Sequence, residues 1–410
     1  MSLNKAWTPL KHRHFREVWI AALASNVGTW MHTVGASWMM TTLSISPLMT
    51  ALVQTASSLP NFLVSLPAGV MADMVERRKM LLVTQSWMLF AAGALGGLAL
   101  TNHVGPWTLL LATFALGLGS AANGPAWQAM IPDLVPHEDL PSAVALNSVQ
   151  FNMARAVGPA LAGMVLAATS PGIVFLLNAV SFLGVILVLW RQAAQPRDQS
   201  KPQAGFTAAL KQGTKYVAES HAFRTVLLRQ GSFVMAASAL WALLPVVSSH
   251  EMKGTALGYG ILLGCLGAGA VLGAAVLAPL RASYSSDKVA LWGTILFALA
   301  SFGLASLRSF WPLAAAMLAG GVAWMTTMST FNVFAQTTAP QWVKARALAF
   351  YLLTFQASIA IGSSIWGAVA ERIGTREALY MAGVALIAGL GLTLKWPLLA
   401  QPAREELHVT

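Results

Sequence analysis

Charged residues along this chain fall in tight clusters separated by long apolar blanks. No Asp, Glu, Lys or Arg occurs in the 55 residues from Val18 to Ala72, nor in the 53 from Met80 to Pro132. A helix crossing the hydrocarbon of a bilayer needs about 20 apolar residues. Each blank therefore holds two spans, divided by a Pro-containing turn at Ser44-Ile45-Ser46-Pro47 or at Thr101–Pro106. Continued along the first half, the pattern predicts spans at Val18–Leu43, Met49–Ala72, Met80–Leu100, Trp107–Ala129, Ala143–Ala167 and Gly172–Trp190. In the second half it predicts Val226–Ser248, Ala256–Leu280, Val289–Leu307, Trp311–Ala335, Ala347–Ala370 and Leu379–Leu399.

Composition agrees. Among 410 residues there are 25 Lys or Arg and 14 Asp or Glu, 10% in all, with 56% hydrophobic residues and a mean hydropathy of +0.64. A soluble domain carries about 25% charged residues, and with so few this chain would expose large apolar patches in water. Disorder needs the opposite balance. The lone Cys265 excludes a disulfide framework and any cysteine-built metal cluster. The apolar stretch behind the basic N-terminus runs 26 residues, longer than the roughly 7–15 of a signal peptide's apolar region, so a retained first span is expected.

The net charge of +11 would suggest nucleic acid in a soluble protein, but its placement says otherwise. With a cytoplasmic N-terminus, 20 basic residues fall in inside segments, and only Lys253, Arg308, Arg372 and Arg376 fall outside. This positive-inside bias places both termini in the cytoplasm.

The two halves resemble each other. Phe15-Arg16 recurs as Phe223-Arg224 at an offset of 208, and Gly158 and Gly163 recur as Gly362 and Gly367 at 204. Asn123 before Pro132 is echoed by Asn332 before Pro340. The expected fold is an all-α membrane protein with twelve transmembrane helices in two pseudo-symmetric six-helix bundles. Residues 1–190 and 224–410 form the bundles, joined by a cytoplasmic linker at 191–223. Within that linker Phe206, Leu210, Gly213 and Val217 share one face beside Lys211 and Lys215, the pattern of an amphipathic helix on the inner leaflet. A duplicated six-span unit is the transporter arrangement in which two bundles rock about a midplane site.

At the inner end of the second span stands Gly69-Val70-Met71-Ala72-Asp73-Met74-Val75-Glu76-Arg77-Arg78-Lys79. It resembles the signature loop of the major facilitator superfamily, Gly-x-x-x-Asp-x-x-Gly-Arg-Arg/Lys, departing from it at Glu76. Its repeat is degenerate: Gly273 survives, while Leu277 stands in place of Asp73. Arg155-Ala-Val-Gly158-Pro159-Ala-Leu-Ala-Gly163, with Pro132-Asp133-Leu-Val-Pro136 and Ala143-Val-Ala-Leu-Asn-Ser148, is similar to the branch holding the enterobactin exporter and the macrolide-efflux proteins. The resemblance implies the major facilitator fold and export of small amphipathic, drug- or siderophore-like molecules by alternating access, with proton antiport. It also implies residence in a bacterial inner membrane. A lysophospholipid or lipid transporter of the same fold is the alternative.

Arg155 is the one charged residue well inside a span, a costly placement that marks function. Ser148, Asn152, Arg155 and Pro159 share its helix face. Asn26, Trp30, Thr33 and Ser37 make a similar stripe in span 1, as do Met325, Ser329, Asn332 and Gln336 in span 10. The cavity residues expected are thus Asn26, Trp30, Thr33, Asn152, Arg155, Asn332 and Gln336, with Trp127 and Trp241 as aromatic walls. Arg155 would attract an anionic or hydrogen-bond-accepting group; the competing reading is that it bonds backbone carbonyls between helices. For each polar residue the competing reading is helix–helix packing.

His32 is the coupling candidate, against the alternative of a packed histidine. No Asp or Glu lies mid-span, so proton exchange rests on resemblance alone. Gly69, Asp73, Arg77, Arg78 and Asp133 are expected to form a gate on the inner side, Gly69 by admitting a close helix and the charges by clustering; they could also be topology anchors alone. No metal site, cofactor, nucleic-acid partner or catalytic cluster is expected: the eight His are scattered, and no Gly-x-x-x-x-Gly-Lys loop occurs. A monomer is expected, with a small-molecule substrate, the bilayer and protons as its partners.

Overall fold

The computed structural model describes residues 7–191 and 206–398, apart from the side chains at 70, 72–74, 206–210 and 394. Among the described residues regular structure is entirely helical. The first six long helices are α1 (Arg13–Leu43), α2 (Pro47–Met74), α3 (Arg77–Leu100), α4 (Pro106–Met130), α5 (Leu140–Ala168) and α6 (Pro171–Arg191). A shorter α7 (Phe206–Glu219) leads to α8 (His221–Val246), α9 (Ala256–Ser283), α10 (Ser286–Ser306), α11 (Phe310–Thr338), α12 (Lys344–Ile373), α13 (Thr375–Gly389) and α14 (Gly391–Lys395).

Local chemistry sets the starts. Pro47, Pro106 and Pro171 open their helices, where a missing N–H costs nothing. The side chains of Ser46, Ser220, Thr255 and Ser285 accept from the backbone N–H of Met49, Phe223, Gly258 and Lys288. At the end of α8 the winding loosens into a π-helical turn, Val247–Glu251.

Ten of the described helical segments are long and apolar enough to cross a membrane. Helices α1 and α2 fall short in apolarity, because α1 carries Asn26 and His32 among several Ser, Thr and Gly, and α2 carries Gln54, Asn61, Pro60 and Pro67. They are long enough to cross, at 31 and 28 residues, and they pack with the others. The last span departs from expectation. It was expected to run from Leu379 to Leu399; the helical segment runs from Thr375 through a one-residue irregularity at Leu390, which keeps helical dihedrals, and ends at Lys395.

Packing repeats across the chain. Helix α1 lies against α5 and α6, α2 against α4, and α3 against α4 and α6; the same relations hold for α8 with α12 and α13, α9 with α11, and α10 with α11 and α13. Even single bonds recur: the Arg78 guanidinium donates to the Leu189 carbonyl at 2.8 Å, and 209 positions on the Leu398 N–H donates to the Asp287 carboxylate at 3.0 Å. Asp287 also pairs with Arg229 inside α8, whose side chain is only 4% exposed.

Helix α7 docks on the second group. Gly213 leaves room for Phe350 and Arg346, Gln212 accepts from Arg346, and the Tyr216 hydroxyl donates to the Thr338 carbonyl at 3.1 Å. Phe206 and Leu210, on the face expected to meet the leaflet, have side chains outside the described set.

Two extensive contacts join the groups, α2 with α12 and α5 with α9. Both are tightest toward the end away from the chain termini, called the far end below. A β-carbon on Gly260 would lie 2.7 Å from the Pro159 carbonyl and 2.8 Å from the Gly163 Cα, and one on Gly367 would lie 2.5 Å from Ala51. In α2 the Thr55 hydroxyl reaches the Ala360 carbonyl at 3.0 Å and Ser364 at 2.9 Å. Farther out Ser46 donates to Glu371 at 2.7 Å, and His250 bonds the Thr41 carbonyl at 3.0 Å. Toward the terminal end the same four helices make no cross-group side-chain bond or close glycine approach among the described residues. It is the contacts that mark where the groups part, since apolar side chains are exposed at both ends, Phe62, Phe151 and Leu352 at the one and Met164, Ile361 and Ile365 toward the other. The groups are sealed at the far end and parted at the other.

Two outcomes test this packing. Gly260→Val should force α5 and α9 apart, so a cysteine at Thr55, in a Cys265→Ser background, should label faster with a membrane-impermeant maleimide from the far side. Unchanged labelling would contradict the seal. Asp287→Ala should lower stability by roughly 3–5 kcal/mol by leaving Arg229 buried without its partner, while the Arg229→Met/Asp287→Ala double variant should recover much of the loss. Thermal unfolding in detergent decides; a double variant as unstable as the single would count against the pair.

Candidate functional site

Where the groups part, α5 and α1 present the polar face expected from the sequence. Ser148 and Asn152 are exposed, Arg155 is half-buried, and Pro159 is buried in the seal. Gly267 of α9 packs against Ala156 and the Arg155 carbonyl, placing Arg155 at the apex where the opening ends.

Trp30 of α1 lies beside it. Its ring centroid is 5.8 Å from the Arg155 guanidinium carbon, and it meets the exposed Phe151 ring edge-on at 6.3 Å. Gly158 makes this possible: a β-carbon there would sit 2.6 Å from that of Trp30, so any larger residue would push α1 off α5. Arg155 has no hydrogen bond or ion pair among the described residues, and the bonds to backbone carbonyls weighed for it from sequence are absent there too. Among the described residues the Trp30 ring is what faces its charge.

The other polar side chains of these stripes are mostly turned onto their own helices. Thr33 donates to the Thr29 carbonyl at 3.0 Å, Asn152 to the Ser148 carbonyl at 2.8 Å, and Ser148 to the Val144 carbonyl at 3.2 Å. Asn26 is half-buried in α1.

In the second group Gln336 donates to Asn332 at 2.6 Å near the terminal end of α11, and Arg281 of α9 donates to Ser329 at 3.3 Å. Arg281 escaped the sequence reading because it sits at the edge of its span. The two tryptophans offered as walls are largely engaged in packing. Trp127 bonds Asn147 at 3.2 Å and packs beside Leu134. Trp241 stacks on Phe297 at 5.7 Å and meets Trp324 at 4.3 Å, inside the aromatic cluster of the second group. The first-group face around Arg155 and the α11 pair around Asn332 share no side-chain bond among the described residues.

His32 points away from this face. Its ring lies 4.6 Å from Phe175 of α6, it is 5% exposed, and neither ring nitrogen has a partner among the described residues.

The signature loop places Arg77 against Asp133 at 2.5 Å, while Arg78 donates to the Leu189 and Trp190 carbonyls at the end of α6. These contacts tie together segments of the first group, and they form while the terminal end is open. The Asp73 side chain lies outside the described set. Gly69 differs from the reason given for it: a β-carbon there would meet nothing within 4 Å, so no helix approaches it in this state. What closes the molecule here is the far-end set, Ser46–Glu371, Thr41–His250 and Thr55–Ser364. Sequence offered no signal for it, since Ser46 and Glu371 stand 325 positions apart.

A family profile described as "Transmembrane secretion effector" matches residues 4–408. The chain is 23% identical to the Staphyloferrin A transporter of Staphylococcus aureus over 367 residues, covering 88% of this chain and 90% of that one. It is 25% identical to the Enterobactin exporter EntS of Salmonella choleraesuis, covering 93% and 92%, and 25% identical to the Multidrug efflux pump Tap of Mycolicibacterium fortuitum, covering 86% and 88%. Its fold matches an inward-facing bacterial homologue of the iron transporter ferroportin with a TM-score of 0.74 at 16% identity, covering 94% of this chain and 98% of that one. With ten helices apolar enough to span a membrane and α1 and α2 long enough to join them, a facilitator-type signature loop and a family match over nearly its whole length, the chain belongs to the transmembrane secretion effector family of the major facilitator superfamily: it is a secondary transporter, not an enzyme.

Proposed function

We propose that this transporter exports small amphipathic molecules, drug- or siderophore-like, from the cytoplasm across a bacterial inner membrane by alternating access. The bundles 1–190 and 224–410 rock about the Arg155 level, and both termini face the cytoplasm. The observation that carries this reading is the asymmetry of the interface: the groups are sealed through Gly163, Gly260 and Gly367 at the far end and parted at the terminal end. A compound entering from the terminal side reaches Arg155, Trp30 and Phe151 at the apex. Release on the far side requires the Ser46–Glu371 and Thr41–His250 bonds to break while the exposed inner halves of α2, α5, α9 and α12 come together.

In the closed-inside state the loop carrying Gly69, Asp73, Arg77 and Arg78, together with Asp133, forms the inner gate as one braced unit that meets the second group, its Arg77–Asp133 pair being kept in both states. The names of relatives that carry siderophores or drugs support the substrate class. Protons are the expected exchange partner, with His32 as the candidate carrier, and the transporter works as a monomer. A lysophospholipid substrate is the second reading, favoured by the apolar side chains Phe62, Leu63, Val271 and Val276 exposed on the helices that border the gap.

The test is a drug and siderophore susceptibility panel in an efflux-deficient host, followed by pH-jump transport in proteoliposomes. Export predicts a several-fold rise in tolerance to at least one compound, and accumulation that follows the imposed gradient. Equal susceptibility across the panel, at verified membrane levels of the protein, would contradict this reading and favour lipids.

A further inference from the structure

We infer that the apex of the opening is a subsite for an organic anion carried on a planar ring, with Arg155 as its counter-charge and Trp30 and Phe151 as its walls. This rests on the transport reading above and narrows its substrate class.

A guanidinium near the bilayer midplane is costly unless something compensates it. Arg155 has no carboxylate partner among the described residues. The sequence offers none at its depth, because all 14 acidic residues lie in loops or near span ends. Those with described partners are engaged elsewhere: Glu17 with Arg13, Glu76 with Lys79, Asp133 with Arg77, Asp139 with His12, Glu219 with Lys215, Asp287 with Arg229, Glu251 with Arg308, and Glu371 with Ser46. The Trp30 ring face contributes a weak attraction, far short of a counter-ion in a low-dielectric site. The missing negative charge must arrive with the ligand. Arginine offers a planar fork of donors that suits carboxylate, catecholate or phosphate oxygens two at a time.

Phe151 is 49% exposed, next to Asn152 and about one turn below Arg155, and it meets Trp30 edge-on at an interplanar angle of 66°. Two rings set at such an angle make an open corner. A flat group fits there against one face while meeting the other edge-on, an arrangement aromatic groups favour. The corner opens toward the terminal end and closes at Pro159 and Gly163, so a ligand rests with its charge innermost and its apolar body toward the mouth. A neutral amphipathic molecule would fill the corner and leave Arg155 without a counter-charge, forfeiting the larger part of the interaction.

The experiment uses the full-length protein in phosphatidylcholine nanodiscs, so that no lipid anion competes. Binding of 1-naphthoate, 1-naphthalenemethanol and acetate is followed by quenching of tryptophan fluorescence and by calorimetry. Naphthoate is expected to bind about tenfold or more tighter than the alcohol, the scale of a charge-assisted bond, and acetate is expected to compete poorly. In Arg155→Gln the preference for naphthoate over the alcohol should vanish, while Arg155→Lys should keep part of it. Trp30→Leu should weaken both aromatic probes and leave the preference intact. Equal binding of naphthoate and the alcohol to the wild-type protein overturns the anion subsite, and needs no variant that folds. So does a preference that survives in a folded Arg155→Gln. Acetate competing as well as naphthoate overturns the ring half. Absence of binding by all three probes overturns the subsite, whereas the export reading stands or falls on the susceptibility panel.

Discussion

Helices inside a bilayer gain little from hiding apolar surface from one another, because lipid tails are as apolar as leucine. What joins them is close backbone approach and polar bonds, and in this transporter both are concentrated at one end. Gly163 and Gly260 let α5 and α9 meet backbone to backbone, Gly367 does the same for α12 against α2, and a few polar bonds such as Thr55–Ser364 complete the closure. The rest of the architecture follows from that seal. The opening on the opposite side exists because the inner halves of the same helices lack this contact, and Arg155 sits where contact ends. A seal built from glycine contacts and a few bonds to carbonyls and one carboxylate holds a single state firmly, yet separates without stripping a large apolar surface.

The charges divide into two kinds of work. Arg78, Asp287, Arg229 and Arg77 brace each group within itself, and the matched bonds at Leu189 and Leu398 show the two repeats using one structural position with opposite charges. That inversion explains why the signature loop reads clearly in the first half and not in the second: a donor guanidinium caps the carbonyls ending α6, whereas a carboxylate receives the Leu398 N–H and satisfies a buried arginine. Arg155 belongs to neither brace. Its charge is held near a ring and left open to the cleft.

Much of the fold was legible in the sequence because the bilayer imposes a coarse and strict constraint: charge is excluded from the spans, so their number and the repeat offset stand out. Helix α1 and α2 were found by the same charge blanks although their polar residues dilute the apolar signal. The end of the last span at Lys395 was missed because apolar residues continue past it, and charge scarcity is blind to where a helix unwinds. At the site, spacing placed Ser148, Asn152 and Arg155 on one face, and that face is the one exposed, since 3.6-residue periodicity survives folding. Spacing alone could not separate Trp30, which reaches the cleft, from Trp241, which is taken up by Phe297 and Trp324, because that choice depends on neighbours far along the chain. The far seal was invisible for the same reason.

The central claim is that the far-end contact between the groups must open for transport. Its most direct measurement is export by a Cys265→Ser protein with cysteines at Ser46 and Glu371, joined by a short thiol-reactive cross-linker and reconstituted in proteoliposomes. The account predicts that the cross-linked protein binds substrate from the terminal side but does not export it, and that using a reductively cleavable linker restores export on reduction. Full export with the cross-link in place would contradict the account.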